Sequence, residues 1–471
     1  MRLGQTSAIT FVSQLAVSIA GFAATVYIFR YLGETVYGTY ALFMAVLVWL
    51  KIIGNNGVRM ALIKRLSESG TAGEYLSASA LLQVIVFVVL TVIIVLFRDF
   101  INSYLGFAAS LPLIGILAVT FFYGTVTGTL EGEHRVHIAS MLQPVDRTLR
   151  SALQIAAAAL GFGLLGLLWG YAVAAVLVGF VGITFITVRP SLPEREHITR
   201  LTDFAGYSWL TGIESQAFSS MDTIILGFFV ASGLIGVYEV AWNLASVLAV
   251  FGLAVSQSLF PQLSSLSSRD DFRSVTSLTN DALAYSGLFV IPGLVGALVL
   301  GKSVLAIYGQ EATMGYVVLV VLVAARLVYV YESQLITVLN AIDRPDAAFR
   351  VSVAFIVTNL ALNVVLVSEF GWFGAAVATA ISALLGLVLA YRALSVLVSV
   401  TVPIAEIGKQ WTAAAVMGAF IYAGRLWLGV GVVTAFVLVP VGGAVYFAVL
   451  SVLSARFRSV VQNNLPAVDF S

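Results

Sequence analysis

Residues 76–97 read LSASALLQVIVFVVLTVIIVLF. The run carries no charge, and its polar side chains are Ser77, Ser79, Gln83 and Thr91. Roughly 20 apolar residues in a helix cross the hydrocarbon of a bilayer. In lipid the backbone polar groups have to be satisfied within the segment, which a helix does. The stretch is therefore a transmembrane helix, bounded by Glu74 before it and by Arg98 and Asp99 after it.

Working outward, comparable runs fall near 7–29, 37–53, 111–130, 138–159, 164–187, 205–228, 234–258, 280–300, 314–337, 351–368, 373–398, 411–428 and 431–453. With 76–97 they predict about fourteen spans. The first is too long for a signal-peptide core and is read as retained. Composition agrees: of 471 residues 60% are hydrophobic and only 10% charged, where a soluble domain has about 25% charged. The fold class is an all-α polytopic membrane protein.

Lys and Arg set the orientation. With a cytoplasmic N-terminus, 19 of the 24 Lys and Arg lie at inner ends and loops, or 17 without Arg147 and Arg150 of the fifth span. Arg30, Arg98, Lys302 and Arg425 fall outside, and Arg326 lies inside a span. This asymmetry needs an even number of spans with both termini inside, which predicts a multi-pass protein of the cell membrane. The outer connections are tight, and none is long enough to fold as a domain. The inner ones include the linker 190–203 and a polar segment, 262–280, expected as a helix on the membrane surface.

Other function classes recede. A net charge of +1 provides no basic field for nucleic acid. Cysteine is absent, which excludes disulfides, thiolate metal sites and a Cys nucleophile. His134, His137 and His197 lie in polar connections. No zinc-protease, Walker or nucleophile-elbow motif occurs. No metal site and no cofactor are expected.

The two halves share landmarks in order, about 200 residues apart. Tyr37-Gly38-Thr39-Tyr40 matches Ile235-Gly236-Val237-Tyr238, Leu130 and Arg135 match Leu339 and Arg344, and Gly163 and Gly166 match Gly371 and Gly374. The expectation is an N-terminal six-helix lobe over 1–200, a second over 201–400, and two added helices with a tail over 401–471. Six is even, so the lobes run parallel, which suits alternating access around a central cavity.

These landmarks carry a resemblance. Arg30-Tyr31-Leu32-Gly33, Gly57-Val58-Arg59-Met60-Ala61, Met221-Asp222-Thr223-Ile224, Leu259-Phe260-Pro261-Gln262, Ile307-Tyr308-Gly309 and Leu339-Asn340-Ala341-Ile342-Asp343-Arg344 resemble the polysaccharide biosynthesis (oligosaccharide flippase) family. That family sits in the superfamily that also holds multidrug exporters and lipid II flippases. The resemblance covers nearly the whole chain. It implies movement of a polyprenyl-(pyro)phosphate-linked oligosaccharide from the cytoplasmic to the outer leaflet, for surface polysaccharide or glycoprotein glycan assembly. The implied partners are that lipid-linked glycan, membrane lipid and glycosyltransferases of the same pathway. The only lysines are Lys51, Lys64, Lys302 and Lys409. So strong an excess of Arg fits a GC-rich prokaryote such as an archaeon, where the carrier would be a dolichyl lipid.

Ionisable residues inside spans are costly and mark cavities or partners. Asp146, Arg147 and Arg150 follow Pro144 in the fifth span. Arg147 and Arg150 share a face, and Asp146 and Arg150 are i,i+4. They form a candidate cationic patch for phosphate, or else a set of snorkelling anchors. Arg326 is an isolated basic residue that contacts substrate or pairs with Glu214 or Glu239. Gln14, Asn359 and Asn363 are candidates for a sugar path, or for plain interhelical hydrogen bonds. Glu214, Asp222, Glu332 and Asp146 are candidates for coupling to Na+ or H+, or for gating. Lys64 and Arg65 read as headgroup anchors. The runner-up reading is an ion-coupled multidrug exporter of the same fold, whose cavity would be more acidic. A membrane glycosyltransferase or polymerase is disfavoured by the short outer loops.

Overall fold

The computed structural model describes the backbone of residues 3–68, 71–208 and 213–464, with side chains from 20 to 459 apart from 206–215 and 217. Among the described residues there is no strand. The chain divides into two compact units, Met1–Gly236 and Val237–Ser471.

Unit 1 opens with α1 (Leu3–Lys51), a π-turn (Ile52–Asn56) and α2 (Gly57–Glu68). There follow α3 (Ala72–Leu96), the short α4 (Arg98–Leu105), α5 (Ser110–Gly132), α6 (Val136–Ala159) and α7 (Gly163–Ile183). The polar α8 (Arg195–Ser208) and α9 (Ile213–Phe229) come next. The boundary falls near the start of α10 (Ser232–Ser267). Unit 2 continues with α11 (Phe272–Ser286), α12 (Val290–Leu305), a 3-10 turn (Glu311–Gly315), α13 (Tyr316–Ala341) and α14 (Pro345–Ser395). It closes with α15 (Ile404–Leu428), α16 (Val432–Leu453) and α17 (Ala455–Asn464).

Nine stretches among the described residues are long and apolar enough to cross a membrane. Two helices are broken by glycine: α1 at Gly33 (φ 85°, ψ 166°) and α14 at Gly371 (φ 57°, ψ −141°). Counting each arm separately, joining α11 to α12, and adding the shorter or more charged α6, α9 and α15 gives the fourteen long helices expected. Lipid as solvent explains the surface. On α3, Val84, Ile85, Val88, Val89 and Val92 are all about half exposed, which is tolerable only against hydrocarbon.

The duplicated landmarks adopt matching backbone. Arg135 N–H donates to the Leu130 carbonyl at 2.8 Å, and Arg344 N–H to that of Leu339 at 2.9 Å. In each turn the preceding residue is left-handed: His134 at φ 59° and Asp343 at φ 60°. Gly163 and Gly371 have φ values of 55° and 57°. Gly38 and Gly236 meet each other: a Cβ on Gly38 would overlap the Ser232 carbonyl, and one on Gly236 would overlap that of Glu34.

Three boundaries differ from expectation. The second span does not stop at 53 but runs through the π-turn into α2. The segment 262–280 is not one surface helix. Instead α10 continues past Pro261 to Ser267, and α11 begins anew behind an Asp271 cap, whose carboxylate accepts from Ser274 N–H at 3.1 Å. Finally α9, counted by sequence into the second lobe, packs within unit 1, where Tyr104 OH donates to the Ile224 carbonyl at 2.5 Å.

Candidate functional site

Helix α6 begins at Val136, two residues before the predicted start, and is unbroken through Pro144. Pro144 removes the helix bond to the Ser140 carbonyl. Arg150 stands fourteen residues in, about 21 Å along the axis. The charged group therefore lies past the middle of the helix.

The arrangement around it is polar. Asp146 is 4% exposed. Its Oδ2 accepts from Arg150 Nη2 at 2.5 Å, and its Oδ1 has no hydrogen-bond partner among the described residues. The Arg150 guanidinium lies 3.8 Å from the ring centre of Tyr171 on α7, within cation–π range. Gln154, one turn on, donates to Tyr40 OH at 2.8 Å and to the Leu167 carbonyl at 3.0 Å. Tyr123 on α5 is within electrostatic reach of Asp146, Arg147 and Arg150, and its buried hydroxyl has no hydrogen-bond partner among the described residues. Arg147 is exposed.

Two further cations belong here that charge counting alone assigns to the membrane surface. Lys51, at the end of α1, lies within electrostatic reach of Arg59, Arg150 and Asp146. Its side chain is exposed. Arg59 on α2 packs along Gly128 of α5 and pairs with Glu131 at 2.6 Å. Lys51, Arg59, Arg147 and Arg150 thus face the carboxylates Asp146 and Glu131, leaving the cluster cationic. The sequence signal that could have found Lys51 is its position within a predicted span. A cluster with surplus positive charge and several hydroxyls can hold a phosphate by charge-assisted hydrogen bonds and a sugar by neutral ones. Beside it, α3, α5 and α7 line an apolar crevice of about 450 Å3, where Gln83 and Thr125 are hydrogen-bonded to each other.

The unit 2 candidates are differently placed. Arg326 on α13 is 6% exposed, stacks 4.1 Å from the Trp242 ring centre and donates to Ser246 Oγ at 2.6 Å. An aromatic ring and a hydroxyl of α10 are thus among its partners. Glu332 is 1% exposed, its carboxylate set against Gly386 of α14, where a Cβ would overlap it. Asn359 and Asn363 are fully buried: Asn363 Nδ2 donates to Asn359 at 3.0–3.1 Å, and Asn359 Nδ2 to Thr379 Oγ1 at 3.4 Å. They tie the two arms of α14 together. Asp222 on α9 of unit 1 is buried. The side chains of Gln14 and Glu214 lie outside the described residues. Among the described residues no group of His, Asp and Glu could hold a metal ion.

Fold and site together define a multi-pass membrane protein of the flippase and exporter class. The polysaccharide biosynthesis protein family matches residues 28–313. A probable flippase of Haloferax volcanii, AglR, is 33% identical over 470 residues, covering 98% of both chains. A probable low-salt glycan biosynthesis flippase of the same organism, Agl15, is 29% identical over 99% of both. Among solved structures, an inward closed lipid II flippase MurJ superposes with a TM-score of 0.80 at 17% identity, over 96% of this chain and 99% of that one. An inward-facing multidrug MATE transporter gives 0.68 at 14%, over 80% and 94%. At such identities these two speak for the fold alone. The chain belongs to the polysaccharide biosynthesis protein family.

Proposed function

We propose that this protein flips a polyprenyl-(pyro)phosphate-linked oligosaccharide from the cytoplasmic to the outer leaflet by alternating access, for surface polysaccharide or glycoprotein glycan assembly. The observation that carries the reading is the cationic cluster of Lys51, Arg59, Arg147 and Arg150 in unit 1, with tyrosine hydroxyls beside it. It supplies what an anionic, sugar-bearing head group needs in order to leave water, while the prenyl chain stays in lipid. The family membership and the flippase names of the Haloferax relatives support the same substrate class. Both termini are cytoplasmic, the protein sits in the cell membrane, and glycosyltransferases of the pathway deliver its substrate. Asp146, Asp222 and Glu332 are buried carboxylates and candidates for coupling to Na+ or H+, with Glu214 a further acidic candidate from the sequence. Flipping that ignores both ion gradients would remove that part.

The test is leaflet translocation of a labelled polyprenyl-phosphate sugar in proteoliposomes, with Arg147→Gln and the charge-neutral double variant Asp146→Asn/Arg150→Gln. Both should fold and flip far more slowly than the parent. Translocation at the parental rate by both variants would refute the head-group site.

A further inference from the structure

The cluster in unit 1 holds hydrogen-bonding capacity that its own side chains do not use. Asp146 Oδ2 is taken by Arg150 Nη2, and the Arg150 guanidinium lies against the Tyr171 ring. Three further polar atoms have no hydrogen-bond partner among the described residues: Asp146 Oδ1, Arg150 Nε and the Tyr123 hydroxyl. Asp146 and Arg150 stand one turn apart on α6. Tyr123 comes from α5 and is within electrostatic reach of both. Buried polar atoms are ordinarily bonded, so three exceptions in one neighbourhood call for an explanation. The Tyr123 and Arg150 side chains are partly exposed, so these atoms lie just below a surface that a ligand can reach.

Their kinds narrow the ligand. An ionised carboxylate oxygen only accepts, a guanidinium N–H only donates, and a phenolic hydroxyl does either. A phosphate oxygen without a proton only accepts. It would answer Arg150 and Tyr123 but meet Asp146 as one negative oxygen against another. A cationic drug would answer Asp146 and be repelled by Arg150. A pyranose ring, whose hydroxyls both give and take, answers all three. The exposed cations Lys51 and Arg147 are then left for the phosphate.

We propose that Asp146 Oδ1, Arg150 Nε and the Tyr123 hydroxyl read the sugar adjoining the phosphate, with Tyr123 a specificity-determining residue. The phosphate rests on Lys51 and Arg147, and the first ring turns inward, giving one hydroxyl proton to Asp146 and accepting from Arg150 and Tyr123. A site built to hydrogen-bond a substrate hydroxyl rejects an analogue without it, because the buried partners are left bare. On this assignment Asp146 serves recognition, and ion coupling falls to the other carboxylates. The inference rests on the reading of the cationic cluster as the head-group site.

Two phosphodiesters of one prenyl chain, equal in charge, supply the test: one carries a hexose, the other a methyl group. Equilibrium binding to the full chain is measured in detergent. The parent should hold the hexosyl probe about tenfold or more tighter, since one of the added bonds is to a charged group. Monodeoxy versions of the hexosyl probe add no bulk, and the one lacking the hydroxyl given to Asp146 should bind about tenfold more weakly. Tyr123→Phe removes a hydroxyl that has no partner among the described residues, so the variant should melt at or above the parental temperature. It should weaken the hexosyl probe by about three- to tenfold, the value of a neutral hydrogen bond, and so narrow the gap between the two probes. Equal weakening of both probes, or of neither, would overturn the proposal. So would a parent that binds every monodeoxy probe as tightly as the full hexose, which decides the matter if the phenylalanine variant does not fold. Arg147→Gln serves as the control. If it weakens neither probe, the head-group reading itself has failed. If it weakens both while the parent does not tell hexose from methyl, only the present inference falls.

Discussion

Arg150 and Asp146 show how one side chain constrains another. Removing Arg150 alone leaves a carboxylate that is 4% exposed without its counter-charge. Breaking a buried pair from one side costs about 3–5 kcal/mol. Arg150→Gln is therefore expected to melt well below Asp146→Asn/Arg150→Gln, although the double variant carries more changes; thermal denaturation in detergent makes the comparison. A second, milder case lies at the start of α11. The hydrogen bonds that Asp271 accepts from Ser274 hold its carboxyl below the usual range. Its folded pKa is the lower of the two, so the cap stabilises at neutral pH and fades as pH falls through that depressed value. Asp271→Ala should lower the melting temperature at pH 7 and make no difference once the parent's cap is protonated.

At the scale of the element, glycine decides where helices break and cross. Gly33 occupies a backbone region that is essentially closed to other residues, so Gly33→Ala should cost about 1–3 kcal/mol. Gly38→Ala faces a harder obstacle, because its Cβ would meet the Ser232 carbonyl, which is backbone and cannot rotate away. It should be the more damaging of the two, read as yield of folded protein and as melting temperature. The apolar runs made the long helices legible, since little besides a bilayer calls for hydrophobicity sustained over about 20 residues. The π-turn was not legible. One surplus residue leaves hydropathy unchanged, and nothing in Ile52-Ile53-Gly54-Asn55-Asn56 names its backbone conformation. The break at Gly371 was visible as a gap between two predicted spans and as a glycine matching Gly163.

For the whole molecule, the asymmetry of Lys and Arg is the strongest statement the sequence makes, and it is open to a clean test. The chain contains no cysteine, so any introduced cysteine is the sole thiol. Single cysteines at Ser191 and Ser268 should react with an impermeant maleimide from the same side, and one at Ser232 from the other. Labelling of Ser191 and Ser268 from opposite sides would contradict the even count. The rule that makes orientation readable also hides half of the candidate site. Lys51 and Arg59 pass for inner-end charges until their neighbours are seen. Asp146, Arg147 and Arg150 stand out because an inner-end role fits poorly so far into a span. Arg326 stands out equally, yet the structure covers it with Trp242 and Ser246, a distinction between buried and available that no spacing conveys.

The matched corners after α5 and α13 bear one more consequence. His134 and Asp343 occupy positive-φ positions where a residue with a side chain pays roughly 1 kcal/mol that glycine does not. Neither is among the cluster's residues, so His134→Gly and Asp343→Gly should toughen the protein without touching transport. The two matching corners thus offer two places at which a sturdier molecule can be made, one suited to capture with its lipid cargo aboard.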